Sequence, residues 1–493
     1  MGIKNAARLT LCALTAVAYC TGCGSDEKDE VRPIDWGACP PRYSAAVQCA
    51  IVDVPLDWND PGGKKIRLGI NRLPATDQAR KIGDLIFNPG GPGIAGTEYV
   101  AAEAAHPGVF PASIRQRFDL IGYDPRGVGA SRPAIGCDST FPHHLNQFPS
   151  SQKEFDDLRE ANRAFGISCW QKTGDLLEHV DTGQVARDLE ALRQRLGGAP
   201  LNYLGLSYGT AIGAEYARLF PDKSRTLALD SALVHSQPAG TMSYDESVAF
   251  EDSWNRFAQW CRTAAECVLR EQDPTKILDD LITRAEHQLI PAPNCRPADA
   301  CRHVADAVDL LTNLQAQLMF PDPLPGEGFE GWPGLARLLD QARNGDASGL
   351  AAEVHNYADL AVGCADSRAE FDTYPALKTQ QTLLATVAPH TRGISQSYSY
   401  ITRCQGWPTE FTNPPRETSA EPTITPLIVN ATHDPSTPYG WAKLLSTQIR
   451  GAVLLTRDGD GHTSFFRPGR TQDAIARYLL DGTAPAAGLV LPD

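Results

Sequence analysis

A chain of 493 residues is long for one domain, and its 42% hydrophobic and 21% charged residues are ordinary globular proportions. No low-complexity tract or internal repeat stands out, which argues against a solenoid or a disordered scaffold. The formal charge of −14 argues against binding to nucleic acid or an anionic membrane surface, because both repel a net anion.

At the N-terminus, Lys4 and Arg8 precede the apolar run Leu9 to Tyr19, the layout of a secretory signal. The run is short for a membrane span. Thr21-Gly22-Cys23-Gly24-Ser25 follows and resembles a bacterial lipobox, in which cleavage exposes a cysteine for lipidation. Cys20 stands where such motifs usually carry leucine, and a plain signal peptide cleaved nearby is the alternative. The expected product is an exported protein, secreted or lipid-anchored through Cys23 to the outer face of the cell membrane. Residues 23–35 would then be a polar tether.

Three of the 13 cysteines (Cys12, Cys20, Cys23) fall in or at the signal. The other ten are an even number, as disulfides in an exported chain require. Cys39–Cys49, Cys261–Cys267 and Cys295–Cys301 would each staple a short loop, and we also expect Cys137–Cys169. Buried free thiols or a zinc site are the alternatives; no CxxC doublet supports zinc.

Eight strands are predicted from short apolar runs bounded by turn residues: 50–56, 66–73, 84–88, 119–123, 202–205, 226–230, 426–431 and 452–456. The first two read as a hairpin around Asn59-Asp60-Pro61-Gly62-Gly63. The later ones do not alternate, as suits parallel strands buried on both faces. Val185, Leu189, Leu192 and Leu196 mark a helix that Thr182 could cap, and another runs from Ser207 through Ile212, Tyr216 and Leu219 to Pro221. The strand rhythm breaks between about His235 and Cys404. The expected division is a signal at 1–22, core at 36–235 and 404–493, and an inserted, mainly helical cap at 236–403. Phe250, Trp254, Phe257 and Trp260 in the cap read as core, not as a ligand box.

Gly205-Leu206-Ser207-Tyr208-Gly209 matches G-x-S-x-G. The pattern is weak alone, but it lies between a predicted strand and a predicted helix, as a nucleophile elbow requires. Asn88-Pro89-Gly90-Gly91-Pro92-Gly93 could place the N–H of Gly91 beside that of Tyr208 as an oxyanion hole. Phosphate binding is disfavoured, because neither G-K-[ST] nor G-x-G-x-x-G is present. Asp434 and His462 then follow in the order Ser, Asp, His, each after a predicted strand.

Four motifs together resemble the tripeptidyl-aminopeptidase-like branch of the prolyl-iminopeptidase superfamily, within the α/β-hydrolases. They are NPGGPG (88–93), GYDPRGVGAS (122–131), GLSYGT (205–210), and DPSTP with GDGH (434–438, 459–462). The resemblance covers nearly the whole mature chain. It implies an eight-stranded, mostly parallel sheet with an inserted cap, a Ser207–His462–Asp434 triad, and a Cys364–Cys404 disulfide. Asp124 and Arg126 would be organisers rather than catalysts. A further cysteine pair that many relatives carry near the C-terminus is absent here.

The expected activity is hydrolysis of peptide bonds near a free N-terminus through an acyl-enzyme, with no metal or organic cofactor. A substrate α-ammonium would need a carboxylate, and Glu246, Glu251, Asp252 and Asp366 are candidates. A carboxylesterase acting on small acyl esters uses the same chemistry. A non-catalytic, lipid-anchored binding protein on a hydrolase scaffold is the rival of another class, against which the ordered triad residues argue.

Overall fold

Among the described residues the central sheet has ten strands where eight were expected. The computed structural model describes residues 33–138, 147–296, 303–324, 329–352, 357–367 and 370–493. In chain order the first strands are β1 (Gly37–Ala38), β2 (Gln48–Pro55), β3 (Lys65–Leu73), β4 (Gly83–Asn88), β5 (Phe118–Tyr123), β6 (Leu201–Leu206) and β7 (Ser224–Asp230). Two small ribbons follow: β8 (Ile290–Pro291) with β9 (Val304–Ala305), and β10 (Pro323–Leu324) with β11 (Phe329–Glu330). The sheet resumes with β12 (Leu427–His433), β13 (Val453–Asp460) and β14 (Val490–Pro492). All eight expected strands are present within a residue or a few of their expected ends. The two additions, β1 and β14, are edge strands of two and three residues, too short to leave a periodic signal.

Strands β1, β2, β3 and β5 pair antiparallel in turn. From β5 through β4, β6, β7, β12, β13 and β14 every pairing is parallel. Parallel strands need crossovers, and the helices supply them. They are α1 (Gly96–Ala105), α2 (Ala112–Arg117), α3 (Gln152–Thr173), α4 (Thr182–Arg195), α5 (Tyr208–Leu219), α13 (Tyr439–Gln448) and α14 (Arg470–Asp481), with α6 to α12 described next. Every residue of β5 and β6 is buried, as expected where helices cover both faces. One apolar cluster joins Ile86, Tyr203 and Leu229 to Leu189 and Ile212; the other joins Phe87 and Leu204 to Phe110 and Leu479.

Between β7 and its sheet neighbour β12 come α6 (Ala239–Thr263), α7 (Pro274–His287), α8 (Ala307–Leu318), α9 (Gly331–Arg343), α10 (Tyr357–Asp366), α11 (Tyr374–Val387) and α12 (Gln396–Arg403). Phe250, Trp254 and Phe257 of α6 are fully buried, and Trp260 packs against them, in a cluster with Leu314, Trp332 and Leu335. Burying each of these large side chains contributes roughly 2–3 kcal/mol.

Asp181, not Thr182, caps α4: its carboxylate accepts the Gln184 N–H at 3.1 Å. Asp181 and Thr182 are both residue types that cap helices, and the chain turns at the first of them. Disulfides join Cys39–Cys49, Cys137–Cys169, Cys261–Cys267 and Cys364–Cys404. Cys295 is also disulfide-bonded, while Cys301, like Cys23, lies outside the described residues. Among the described residues no helix is long and apolar enough to cross a membrane.

Candidate active site

Because β4, β6, β7, β12 and β13 run parallel, the residues that leave their C-terminal ends share one edge of the sheet. Those residues are the Asn88–Gly93 loop, Ser207, Asp230-Ser231, Asp434 and His462. This edge is where open α/β sheets bind their ligands.

Ser207 occupies the cap position of α5 with φ 53° and ψ −125°, a strained backbone for a residue with a side chain. Its surroundings leave no room for larger neighbours. A Cβ at Gly209 would stand 2.7 Å from the Asn88 carbonyl oxygen, and one at Gly90 would stand 2.9 Å from the Ser207 Cβ. The glycine loop therefore packs directly on the elbow. The Asn88 side chain orders that loop by accepting the Gly90 N–H at 2.9 Å. Gly91 and Tyr208 both line the cavity that holds Ser207, and among the described residues neither N–H is engaged by another protein group.

His462 Nδ1 lies 3.0 and 2.9 Å from the two oxygens of Asp434. Asp434 can only accept when ionised, so Nδ1 carries the proton and Nε2 of the neutral ring is left as an acceptor. Asp434 is enclosed by donors: the N–H groups of Ser436 and Thr437 at 2.9 Å, the Thr437 hydroxyl at 2.9 Å and the Ser231 hydroxyl at 2.8 Å. Burial alone would raise its pKa. The His462 charge and hydrogen bond, with the two backbone donors, outweigh burial and hold it below the ordinary aspartate value. For His462, burial disfavours the cation, yet Asp434, and behind it Asp230 and Glu246, outweigh that and raise its pKa above the ordinary 6.5. The Ser207 hydroxyl and the imidazole are not hydrogen-bonded to each other here; such contacts are often long until substrate tightens them.

The histidine loop is held on every side. The His462 N–H donates to Met319 O at 2.8 Å. Buried Arg457 gathers the carbonyls of Asp460 and Gly461 at 2.7 and 2.9 Å.

A cavity of about 300 Å³ opens beside Ser207, walled by Pro92, Leu233, Met242, Tyr400, Phe411 and Trp441 among others. That is the lower end of the range for small-ligand sites. Three carboxylates line it, Glu246, Asp366 and Glu370, and among the described residues no lysine or arginine does. Glu246 is 1% exposed and accepts only neutral donors: Gln315 Nε2 at 2.8 Å, Gln396 N at 3.2 Å and Ser397 N at 2.9 Å. Burial pushes its pKa up and these donors pull it back only in part.

The four carboxylates expected to meet an ammonium group divide sharply. Glu246 and Asp366 reach the cavity; Glu251 and Asp252 do not. Glu251 faces the other way along α6 and accepts the Thr391 N–H and hydroxyl at 3.0 and 2.9 Å, holding the turn before α12. Asp252 pairs with His433 Nδ1 at 2.7 Å. Asp366 is saturated: it accepts from Thr182 N at 3.1 Å, Asn413 Nδ2 at 2.7 Å, and the hydroxyls of Thr182 and Tyr208. Sequence reasoning also missed Ser231, Thr437, Gln315 and Gln396. Ser436 and Thr437 carry a signal within the DPSTP motif, because an aspartate commonly accepts the N–H groups two and three residues on. The other three are marked by nothing local.

Asp124 and Arg126 do structural work away from the cavity. Asp124 accepts from Thr97 N, Thr97 Oγ1 and Ala130 N at 3.1, 2.8 and 2.7 Å. Arg126 forks onto fully buried Asp188 at 2.8 and 2.7 Å and donates to the carbonyls of Leu56 and His179.

Fold and site together define a serine hydrolase of the α/β-hydrolase type. Residues 85–321 match the family described as alpha/beta hydrolase fold, and residues 391–490 match the one described as TAP-like protein. Serine protease Hip1 of Mycobacterium tuberculosis is 31% identical, over 93% of this chain and 90% of that one. Tripeptidyl aminopeptidase of Streptomyces coelicolor is 28% identical, over 92% and 85%. Carboxylesterase B of Mycobacterium tuberculosis is 31% identical, over 90% and 86%. The chain belongs to the TAP-like family of α/β-hydrolases.

Proposed function

We propose that this protein is an exported serine peptidase that cleaves peptide bonds near a free N-terminus, with Ser207 as nucleophile, His462 as base and Asp434 as its orienting acid. One observation carries the choice of substrate: the cavity beside Ser207 is lined by carboxylates without a lysine or arginine among the described residues, and Glu246 is buried there without a cation. A buried charge held only by neutral donors is costly, and a substrate ammonium would offset that cost. The names of the peptidase relatives point the same way.

In this mechanism, His462 Nε2 takes the Ser207 proton as Oγ attacks the scissile carbonyl carbon. The N–H groups of Gly91 and Tyr208 receive the oxyanion, at a few kcal/mol each. As the C–N bond breaks, His462 returns the proton to the leaving amine. Water, deprotonated by His462, then attacks the acyl-enzyme, and Ser207 regains its proton as the carboxylic product leaves. Asp434 stays ionised throughout and stabilises the imidazolium. Every proton is accounted for by these side chains.

Export is supported by the N-terminal charged and apolar segments, the lipobox-like Cys23 and four described disulfides. If Cys23 is the anchor, Cys23→Ala moves the protein from the membrane fraction to the medium.

The carboxylesterase relative favours the second reading, a hydrolase of small acyl esters. Comparing tripeptidyl amides with the same peptides N-acetylated separates the two. The peptidase reading predicts that acetylation lowers kcat/KM on the order of 10- to 100-fold, the worth of one charge-assisted contact. Equal rates would favour the esterase.

A further inference from the structure

Three loops carry the proposed triad, and all three are tied to one dipeptide, Asp230-Ser231, just where β7 ends. The Asp230 carbonyl accepts the Ser207 N–H at 2.9 Å. One oxygen of the Asp230 carboxylate accepts the N–H groups of Ser464 and Phe465, both at 2.7 Å. The Ser231 hydroxyl contacts Asp434 Oδ2 at 2.8 Å and the Thr463 N–H at 2.7 Å. Both residues are fully buried.

The proton on Ser231 has only one place to go. An amide N–H can only donate, so the hydroxyl oxygen accepts from Thr463 and directs its single proton at the Asp434 carboxylate. Ser231 thus bridges the acid to the residue that follows the base. It does so with φ at 62°, a left-handed conformation that glycine adopts freely and serine does not. Glycine would relieve the backbone but would leave Asp434 one donor short and the Thr463 N–H without its acceptor.

We propose that Ser231 is a positioning residue of the triad, whose hydroxyl fixes the Asp434 carboxylate against the His462 loop. It holds the Nδ1–H to carboxylate contact in register while the imidazole alternates between its neutral and charged forms. This rests on the triad assigned under the proposed function. A role in backbone geometry alone would be served as well or better by glycine.

The test compares Ser231→Ala with Ser231→Gly, which lack the same hydroxyl but differ in backbone strain. For each, kcat and KM on a peptide amide and on a small neutral ester, the rate of fluorophosphonate labelling at Ser207, and the melting temperature are measured. Positioning predicts the same 10- to 100-fold loss in kcat for both variants and both substrates. It also predicts KM within about two-fold of wild type, labelling slowed in proportion, and the glycine variant melting above the alanine one. A glycine variant with kcat within about two-fold of wild type overturns the proposal, and that variant decides alone if the alanine variant does not fold. Failure of the triad itself shows separately, as a wild type that does not label or a His462→Ala variant that keeps its rate.

Discussion

The C-terminal edge of the sheet and helix α6 face the same cavity, but they are built on different terms. At the sheet edge each side chain of the proposed triad leaves the end of a parallel strand, so backbone hydrogen bonds fix its place. On α6, Glu246 and Glu251 lie five residues apart and both are nearly buried, yet one reaches the cavity and the other braces a turn. Strand topology assigns a role to whatever stands at the strand end. A helix leaves the role to what packs against each face.

Substitutions in the two regions test that contrast. The largest effect belongs to the sheet edge: Asp434→Asn should cut kcat by about 10⁴, because the amide no longer enforces the Nδ1–H tautomer. In the proposed mechanism, His462 must be neutral to accept the Ser207 proton. Its raised pKa therefore places the acid limb of the kcat/KM profile above pH 6.5, with activity lost as pH falls through it. A limb centred below that value would contradict the site's electrostatics. Arg126→Ala should next cost about 3–5 kcal/mol of stability by denaturant unfolding, since it strands the buried Asp188 carboxylate.

On α6 the effects should be smaller and should separate. Glu246→Gln should lower kcat/KM for a free tripeptidyl amide on the order of 10- to 100-fold and barely alter its N-acetylated form. Glu251→Gln should leave both rates near wild type and cost about 1–2 kcal/mol in unfolding, as hydrogen bonds to a charge weaken. Equal behaviour of the two variants would remove the distinction between the two faces.

The same contrast explains what could be read from the sequence. Buried parallel strands are short apolar runs, so β4 to β7, β12 and β13 were legible. The motifs at their ends placed Ser207, Asp434, His462 and the glycine loop, because chain order and topology leave them one shared edge. The strands β1 and β14 were lost because two or three residues hold no period. Among the carboxylates, nothing local tells Glu246 from Glu251: burial, and which neighbour arrives, are decided by α8, α12 and the turn at Thr391. Ser231 was invisible for a related reason. The role proposed for it rests on contacts with Asp434 and Thr463, more than 200 positions away in the chain.

Whether Ser207 is an activated nucleophile is read out by fluorophosphonate labelling. The purified, folded wild type should label at one serine and lose hydrolysis in step, while Ser207→Ala, equally folded, should not label. A folded wild type that resists the probe, or a Ser207→Ala variant that labels as fast, would contradict it.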